Sequence, residues 1–374
     1  MFAIGAAGAA LLLILVIVIA IITNKKNPDQ PVLTDDLASS DTDLQTNAAE
    51  TGNEAADVYR AITEPVTLTV SAAGDCTLGT DEEFDYSTSL NAYYETKGSQ
   101  YFFQNVLPIF SADDLTIVNM EGTLTDSEER EDKQFAFKAD ASYADILKDG
   151  SVEAANLANN HSHDYGDQSY EDTKAALDAA GITHFGYEET AMMDIKGIKV
   201  GLVGIYELKD HLEREQQLRD NIAKVKEDGA QLVIVTFHWG NEKETVPDSN
   251  QTQLGHVAID AGADLVVGHH PHVLQGIEKY KDRFIVYSLG NFCFGGNAYP
   301  SDLDTMIYQQ TFTISSDGVA KDDAIRLIPC AISGAYDYND YQPALCEGEE
   351  KQRILDKIQA LCGEISDSMD FYFQ

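Results

Sequence analysis

The amino-acid sequence predicts an α/β sandwich with a mixed sheet. Strand-like and helix-like segments alternate through the middle of the chain, and strand-like segments dominate toward its end. Five short polar segments each follow an apolar, β-branched run that is typical of a buried strand. Ligands of open α/β sheets bind outside the carboxyl ends of the strands, so we expect these five segments to converge on one edge.

The elements are expected in a regular order along the chain. A strand begins at Val66 and runs into Gly74-Asp75, and further strands are expected at 115–119, 152–157, 198–205, 232–236, 265–267 and 284–288. Helices are expected at 169–180, 218–228 and 253–261, because each of these segments is followed by a glycine that suits a helix end (Gly181, Gly229 and Gly262). Antiparallel strands at 306–314 and 325–328 and a helix at 351–361 complete the chain.

The first part of the sequence predicts a membrane anchor and a tether. Residues 1–24 carry no charged side chain, and the aliphatic run within them is long enough to cross a bilayer. A cleaved signal peptide is the alternative, but no positive n-region or small-residue cleavage site is evident. Residues 25–64 are polar and acidic, which predicts a disordered tether. We therefore expect a single-pass protein of the cell membrane with an extracellular domain, although Lys25 and Lys26 conflict with that orientation.

The charge and the cysteines limit the classes of function. The 374 residues carry a formal net charge of −38, which disfavours nucleic-acid binding because that requires a basic footprint. The sequence contains no Gly-x-Ser-x-Gly elbow, no Walker A loop and no dinucleotide glycine fingerprint. Among five cysteines, one disulfide between two of Cys330, Cys346 and Cys362 is one expectation, and five free thiols is the other.

The polar strand ends together predict a divalent metal centre. Asp75 follows a glycine at a strand end, and Glu121 ends the next strand, where a buried carboxylate needs a cation or another partner. Asn160 offers an amide oxygen, His161 an imidazole, and His238 lies at the tip of a buried strand. Imidazole with carboxylate and amide oxygen suits Mn, Zn or Fe.

The histidine-rich segment Gly268-His269-His270-Pro271-His272 is the strongest single signal. We expect His269 and His272 to point toward the metal centre and His270 to face elsewhere. In the Asn160-His161 loop, His163 competes with His161 for a catalytic role, and Asp164 is placed to orient the ring of either histidine.

Six motifs occur in a fixed order between Val66 and Pro329. They are Gly74-Asp75 with Gly79, Asn119-x-Glu121-Gly122, Ala158-Asn-Asn-His161-x-x-Asp164-Tyr-Gly166, His238-Trp-Gly240-x-Glu242, Gly268-His269-x-Pro-His272-Val-x-Gln275 and Ser288-Leu-Gly-Asn-Phe292. In these motifs the chain resembles the CapA family of poly-γ-glutamate capsule biosynthesis proteins, which looks like a branch of the calcineurin-like metallophosphoesterases.

The resemblance implies a fold and a set of site residues. The fold would be a four-layer αββα sandwich over residues 65–332. A C-terminal extension, residues 333–374, would follow it and would contain one helix. His161 would be the general acid, with Asp164 beside it. The implied metal ligands are Asp75, Glu121, Asn160, His238, His269 and His272. Position 77 is Thr where the phosphoesterase pattern Asp-x-His has a histidine, which leaves a single metal or an altered pair.

The resemblance also implies a function. The protein would act in synthesis, export or anchoring of poly-γ-glutamate or a related capsule polymer, through a metal-dependent site of the hydrolase or transferase type. The alternative is a non-catalytic assembly or binding subunit of a capsule synthase complex. The expected partners are the membrane, capsule synthase subunits and an anionic polymer, and not a nucleic acid.

Overall fold

The computed structural model describes residues 58–321 and 324–369. The expected membrane anchor and nearly all of the tether lie outside these residues, and within them no helix is long and apolar enough to cross a bilayer. The last residues of the expected tether contact the domain. The hydroxyl of Tyr59 donates a hydrogen bond to the carbonyl oxygen of Gln231 at 2.7 Å, and Ile62 packs against an apolar cluster.

Two mixed β-sheets carry the described part of the chain. The strands of the larger sheet lie in the order β17 (Ala344–Leu345), β16 (Ile325–Ala331), β14 (Asp304–Ser315), β1 (Val66–Thr77), β2 (Leu115–Glu121), β5 (Ala154–Asn156) and β6 (Thr183–Phe185), with β13 (Asn291–Phe294) beside β1 and β15 (Gly318–Val319) beside β14. The smaller sheet has the order β11 (Ile277–Tyr280), β12 (Arg283–Val286), β10 (Leu265–His269), β9 (Leu232–His238), β8 (Ile198–Tyr206) and β7 (Ala191–Ile195). A separate pair joins β3 (Thr123–Leu124) and β4 (Lys138–Ala139).

Eight α-helices lie within the described residues. They are α1 (Leu90–Lys97), α2 (Gln100–Phe103), α3 (Leu107–Phe110), α4 (Ala144–Asp149), α5 (Gly166–Ala180), α6 (Glu215–Glu227), α7 (Ser249–Ala261) and α8 (Gly348–Gly363). The helices expected before Gly181 and Gly262 are confirmed, because both glycines adopt left-handed φ angles of 81° and 108° at the helix ends. The antiparallel pairing of β14 with β16 is also confirmed.

Alternating side chains on the central strands divide the core into layers. In β9, Leu232 and Ile234 belong to an apolar cluster that both sheets share, whereas Val233 and Val235 belong to a second cluster with α6 and α7. A third cluster joins the other face of β1 and β2 to helices α1 to α5. The expected α/β sandwich is therefore confirmed. Helix α8 contributes Ile354 and Ile358 to the shared cluster.

Several short elements of the structure were not expected from the sequence. They are strands β3, β4, β6, β7, β11, β13, β15 and β17 and helices α1 to α4, and their shortness gives periodicity little to detect. Helix α6 begins at Glu215, three residues before its expected start. All five cysteines are free thiols, so the alternative of a disulfide among the last three is not realised.

A close approach of two chain segments places the end of β1. A Cβ atom on Gly74 would lie 2.0 Å from the carbonyl oxygen of Gly290, so only glycine fits there. The amide of Asp75 donates to that same carbonyl at 2.9 Å. The register of β1 against β2 shifts just before Asp75, which then pairs with Asn119 on one side and Asn291 on the other.

Candidate metal centre

The carboxyl ends of strands from both sheets bring the expected ligands together. Asp75 and Glu121 lie at the ends of β1 and β2, and His238 and His269 are paired residues at the ends of β9 and β10. The Nε2 atom of His238 lies 2.7 Å from Oδ1 of Asn160 and 3.6 Å from Oε1 of Glu121. The convergence expected from the sequence is present in the structure.

Asp75, Glu121 and His272 form the tightest group. One ligand atom from each of the three lies within 4.8 Å of the other two. Asp75 and Glu121 are fully buried, and Nδ1 of His272 lies 3.2 Å from Oδ2 of Asp75 and 2.8 Å from Oδ1 of Asn291. His269 lies beside this group, with its Nδ1 3.4 Å from Oδ1 of Asp75.

Three ligand-type atoms at this place are buried without a hydrogen bond. They are Oε1 of Glu121, Nδ1 of His269 and Nδ1 of His270. A buried polar atom without a partner costs about 1–3 kcal/mol, so such atoms are rare in folded proteins. Two imidazole nitrogens and a carboxylate oxygen are donors that divalent transition metals accept. The residues therefore fit a metal ion.

The two buried carboxylates have opposite pKa shifts. Burial alone would raise the pKa of Asp75, but contacts with His269 and His272 hold it well below its usual range. Burial and the neighbouring charge of Asp75 raise the pKa of Glu121. Burial opposes a charge on His272, yet Glu121 and Asp75 raise its pKa to about 10. Without a metal these shifts favour a charged Asp75 beside a protonated His272, and a divalent cation would replace that proton and allow Glu121 to ionise as well.

The expectation that His270 faces away from the site is wrong. His270 is buried, its ring centroid is 4.7 Å from that of His238, and burial together with His272 lowers its pKa to about 3. Its ligand atom also lies within 4.8 Å of ligand atoms of Glu242 and His272. The reason is the backbone, because His270 and His272 have left-handed φ angles of 96° and 56°, so strand alternation ends at His269.

His161 and Asp164 form a hydrogen-bonded pair at the edge of the centre. Nδ1 of His161 lies 2.9 Å from Oδ2 of Asp164, which also accepts from the amide of Phe137 at 2.6 Å. The ammonium of Lys133 donates to Oδ1 of Asp164 at 2.5 Å and to the carbonyl oxygen of Asn160 at 2.6 Å. The contact with Asp164 fixes Nδ1 of His161 and leaves Nε2 available for proton transfer.

An open cavity of about 340 Å³ joins these groups to solvent. Glu121, His161, Glu242 and His272 are among the residues that line it. Its apolar wall consists of aromatic side chains, namely Phe135, Phe137, Phe294 and Tyr299. A substrate in this cavity would therefore meet the carboxylates and His161 at the same time.

The structure separates His163 from His161. The ring of His163 stacks on Tyr170 with centroids 4.7 Å apart, and it lines a different cavity. Lys133 was missed by sequence reasoning, because it lies 31 residues before Asp164 in the chain and belongs to no motif. The hydroxyl of Thr77 donates a hydrogen bond to Oε2 of Glu121 at 2.9 Å.

The comparisons with known proteins agree with the motifs. The profile of the family described as bacterial capsule synthesis protein PGA_cap matches residues 69–296. The chain is 33% identical over 224 residues to the PGA biosynthesis protein CapA of Bacillus subtilis (strain 168), a match that covers 54% of this chain and 58% of that protein. It is 29% identical over 321 residues to the capsule biosynthesis protein CapA of Bacillus anthracis, a match that covers 78% of this chain and 75% of that protein.

The matched part of the chain thus spans less than two thirds of the Bacillus subtilis relative. Among solved structures, a hypothetical protein from Thermus thermophilus is similar with a TM-score of 0.44 and 14% identity. That match covers 70% of this chain and 98% of the other.

Proposed function

Because the chain belongs to the bacterial capsule synthesis protein PGA_cap family, we propose that it acts in synthesis, export or anchoring of poly-γ-glutamate or a related capsule polymer. The names of two relatives refer to PGA biosynthesis and capsule biosynthesis, which supports this class of polymer. We place the fold in the four-layer αββα type of the metallophosphoesterases. The active centre would be metal-dependent and of the hydrolase or transferase type.

The single observation that carries this proposal is the group of buried ligand atoms that lack a hydrogen bond. Oε1 of Glu121 and Nδ1 of His269 and His270 are buried without hydrogen bonds beside the Asp75, Glu121 and His272 group. A Mn, Zn or Fe ion would be held by Asp75, Glu121 and His272, with Asn160, His238 and His269 completing the set. When bound, such an ion lowers the pKa of water and polarises a carbonyl or phosphoryl oxygen.

The protein's own residues supply the proton chemistry. His161 reaches the cavity that Glu121 and His272 also line, so it can protonate a leaving group there. Asp164 holds Nδ1 of His161, and Lys133 neutralises the carboxylate of Asp164. The ring is thereby kept in one orientation while a substrate enters.

The second candidate function is a non-catalytic assembly or binding subunit of a capsule synthase complex. Thr77 is the observation that favours it. A histidine at this position would be a metal ligand, whereas the Thr77 hydroxyl occupies an oxygen of Glu121 with a hydrogen bond. A centre altered in this way would retain ligand binding without the two-metal displacement chemistry.

The proposed location is the cell membrane, with the domain outside the cell. An uncharged N-terminal segment followed by a polar tether supports this proposal. The acidic domain would then meet an anionic polymer through a metal ion or through local basic residues rather than through its overall charge.

Turnover measurements distinguish the two candidate functions. The full-length protein is incubated with a γ-linked glutamate oligomer and with a phosphodiester, each in EDTA, Mn²⁺ or Zn²⁺. The enzyme hypothesis predicts product release from one substrate only when metal is present, and loss of that release in Asp75→Asn. Absence of turnover under every condition, with metal bound, would instead support the assembly subunit.

A further inference from the structure

A second cavity lies beside the loop that carries Asn160 and His161. Its volume is about 450 Å³, within the range of small-ligand sites. Three tyrosines line it, Tyr170, Tyr187 and Tyr206, and their rings meet edge to face with centroids 6.0 Å apart. We call this the tyrosine pocket; its other lining residues are His163, Gly186, Glu188, Glu189, Lys209 and Arg214.

The wall that follows β8 is rich in unused hydrogen-bond donors. The ammonium of Lys209 and the hydroxyl of Tyr206 have no hydrogen-bond partner among the described residues. Arg214 contacts Asp210 and Gln217 through its terminal nitrogens, but its Nε is buried without a partner. Donors of this kind, two of them on charged groups, recognise a carboxylate.

The chain segment after β6 contributes acceptors to the same pocket. Glu188 and Glu189 follow β6, and each uses one oxygen within the protein, toward Gln217 at 3.0 Å and Lys174 at 2.7 Å respectively. Their remaining oxygens can accept from an amide N–H or an ammonium. The tyrosine pocket therefore offers donors from the segment after β8, acceptors from the segment after β6, and aromatic faces for an aliphatic stem.

The tyrosine pocket lies next to the candidate metal centre. Tyr206 pairs with His238 across β8 and β9, and their ring centroids are 6.2 Å apart. The hydroxyl of Tyr187 donates to the carbonyl oxygen of Asn159 at 2.7 Å, next to Asn160. Tyr187 is held at a left-handed φ of 56°, a strained conformation that binding sites commonly retain.

We propose that the tyrosine pocket binds one carboxylate-bearing, amide-linked unit of the polymer while a neighbouring unit lies at the metal centre. Lys209, Arg214 and Tyr206 would hold the carboxylate, and Glu188 or Glu189 would accept from the amide N–H. The choice of a γ-glutamyl chain as this polymer rests on the proposed function. The pocket also explains how so acidic a protein meets an anionic chain, because its free donors lie next to the site.

The test measures binding in EDTA by isothermal titration calorimetry with the full-length protein. The probe is a γ-linked glutamate oligomer of about ten residues, and its matched control is the same oligomer with every α-carboxylate amidated. The expected result is tighter binding of the acidic oligomer. Lys209→Ala should weaken that binding about five- to tenfold and Tyr206→Phe about threefold.

Lys351→Ala is the control variant, because Lys351 is an exposed lysine on α8 whose ammonium has no hydrogen-bond or ion-pair partner among the described residues. It should bind the acidic oligomer as the unaltered protein does. Thermal unfolding of each variant confirms that the fold is retained, and Lys209 is exposed, so its replacement should leave the unfolding midpoint unchanged.

Three outcomes would overturn the proposal. They are equal affinity for the acidic and amidated oligomers, no effect of Lys209→Ala, and binding of a neutral N-acetylglucosamine tetramer in place of the acidic oligomer. Because EDTA removes the metal, the result is independent of the metal centre. Binding without any metal-dependent turnover would contradict only the enzyme hypothesis, and turnover without binding in EDTA would contradict only the tyrosine pocket.

Discussion

Replacing Glu121 by glutamine should make the metal-free protein more stable and should remove most of the additional stability that a bound metal provides. Glu121 is fully buried, its Oε1 has no hydrogen bond, and burial and Asp75 both raise its pKa. A folded-state pKa above the unfolded value means that this carboxyl favours folding only at low pH. As the pH rises through the folded-state pKa, the ionised group becomes a cost, which the neutral amide removes.

The size of both effects follows from the contacts. Removal of the buried charge of Glu121 is worth about 1–3 kcal/mol, which corresponds to about 2–6 °C in the unfolding midpoint for a domain of this size. Metal at a hundred times its dissociation constant stabilises the unaltered protein by about 2.7 kcal/mol, or about 5 °C. If the loss of one ligand weakens binding about a hundredfold, the same metal concentration adds only about 0.4 kcal/mol to the variant.

The assay is differential scanning fluorimetry at pH 7 in EDTA and in Mn²⁺ or Zn²⁺. Glu153→Gln is the matched control, because burial also raises the pKa of Glu153, yet its carboxylate accepts from the amide of Thr116 at 2.8 Å, away from the proposed ligands. This control should keep the full metal-induced rise in midpoint. An equal metal-induced rise in Glu121→Gln would refute the assignment of Glu121 as a ligand.

Three further predictions follow from the site, the core and the N-terminal region. If the protein is an enzyme, His161→Ala should lower kcat by about 10²- to 10⁴-fold while the metal content stays near normal. The control variant His163→Ala should leave kcat unchanged. Loss of metal in His161→Ala would show that His161 is a metal ligand instead. Burial would raise the pKa of Asp304, but hydrogen bonds from Arg353 and Lys357 lower it. Asp304→Asn should therefore lower the free energy of unfolding in urea by about 1–3 kcal/mol at neutral pH. This difference should shrink as the pH falls below 3.8, because the carboxyl of the unaltered protein then becomes protonated. A difference that persisted at such a pH would contradict the ion pairs of Asp304 with Arg353 and Lys357. Protease treatment of intact cells should cut the tether and release the domain, and full protection before lysis would place the domain inside the cell.

The sequence correctly predicted that the candidate ligands at the ends of strands lie close together. Apolar β-branched runs define the strands β1, β2, β9 and β10, and the polar residue at the end of each run then lies at the same edge. Asp75, Glu121 and His238 could therefore be assigned to one place from these runs alone. The glycines after the helices were equally informative, because a left-handed residue at a helix end favours glycine.

The sequence failed where the backbone leaves regular structure. The left-handed turn at His270 reverses the direction expected from strand alternation. Lys133 reaches Asp164 from a loop with no periodicity, and the tyrosine pocket is assembled from three segments that share no motif. Contacts of this kind depend on tertiary packing, which short-range patterns do not encode.

We expect this chain to bind a divalent metal ion through the residues at the strand ends. The most direct test is the metal content of the purified full-length protein by mass spectrometry, with His238→Ala, His272→Ala and His256→Ala as variants. His256 on α7 pairs with Glu278 at 3.0 Å, so it serves as the control histidine. We predict bound Mn, Zn or Fe in the unaltered protein and in His256→Ala, and a marked loss in the other two variants. A metal-free unaltered protein, or the same metal content in all four proteins, would contradict a metal site at these strand ends.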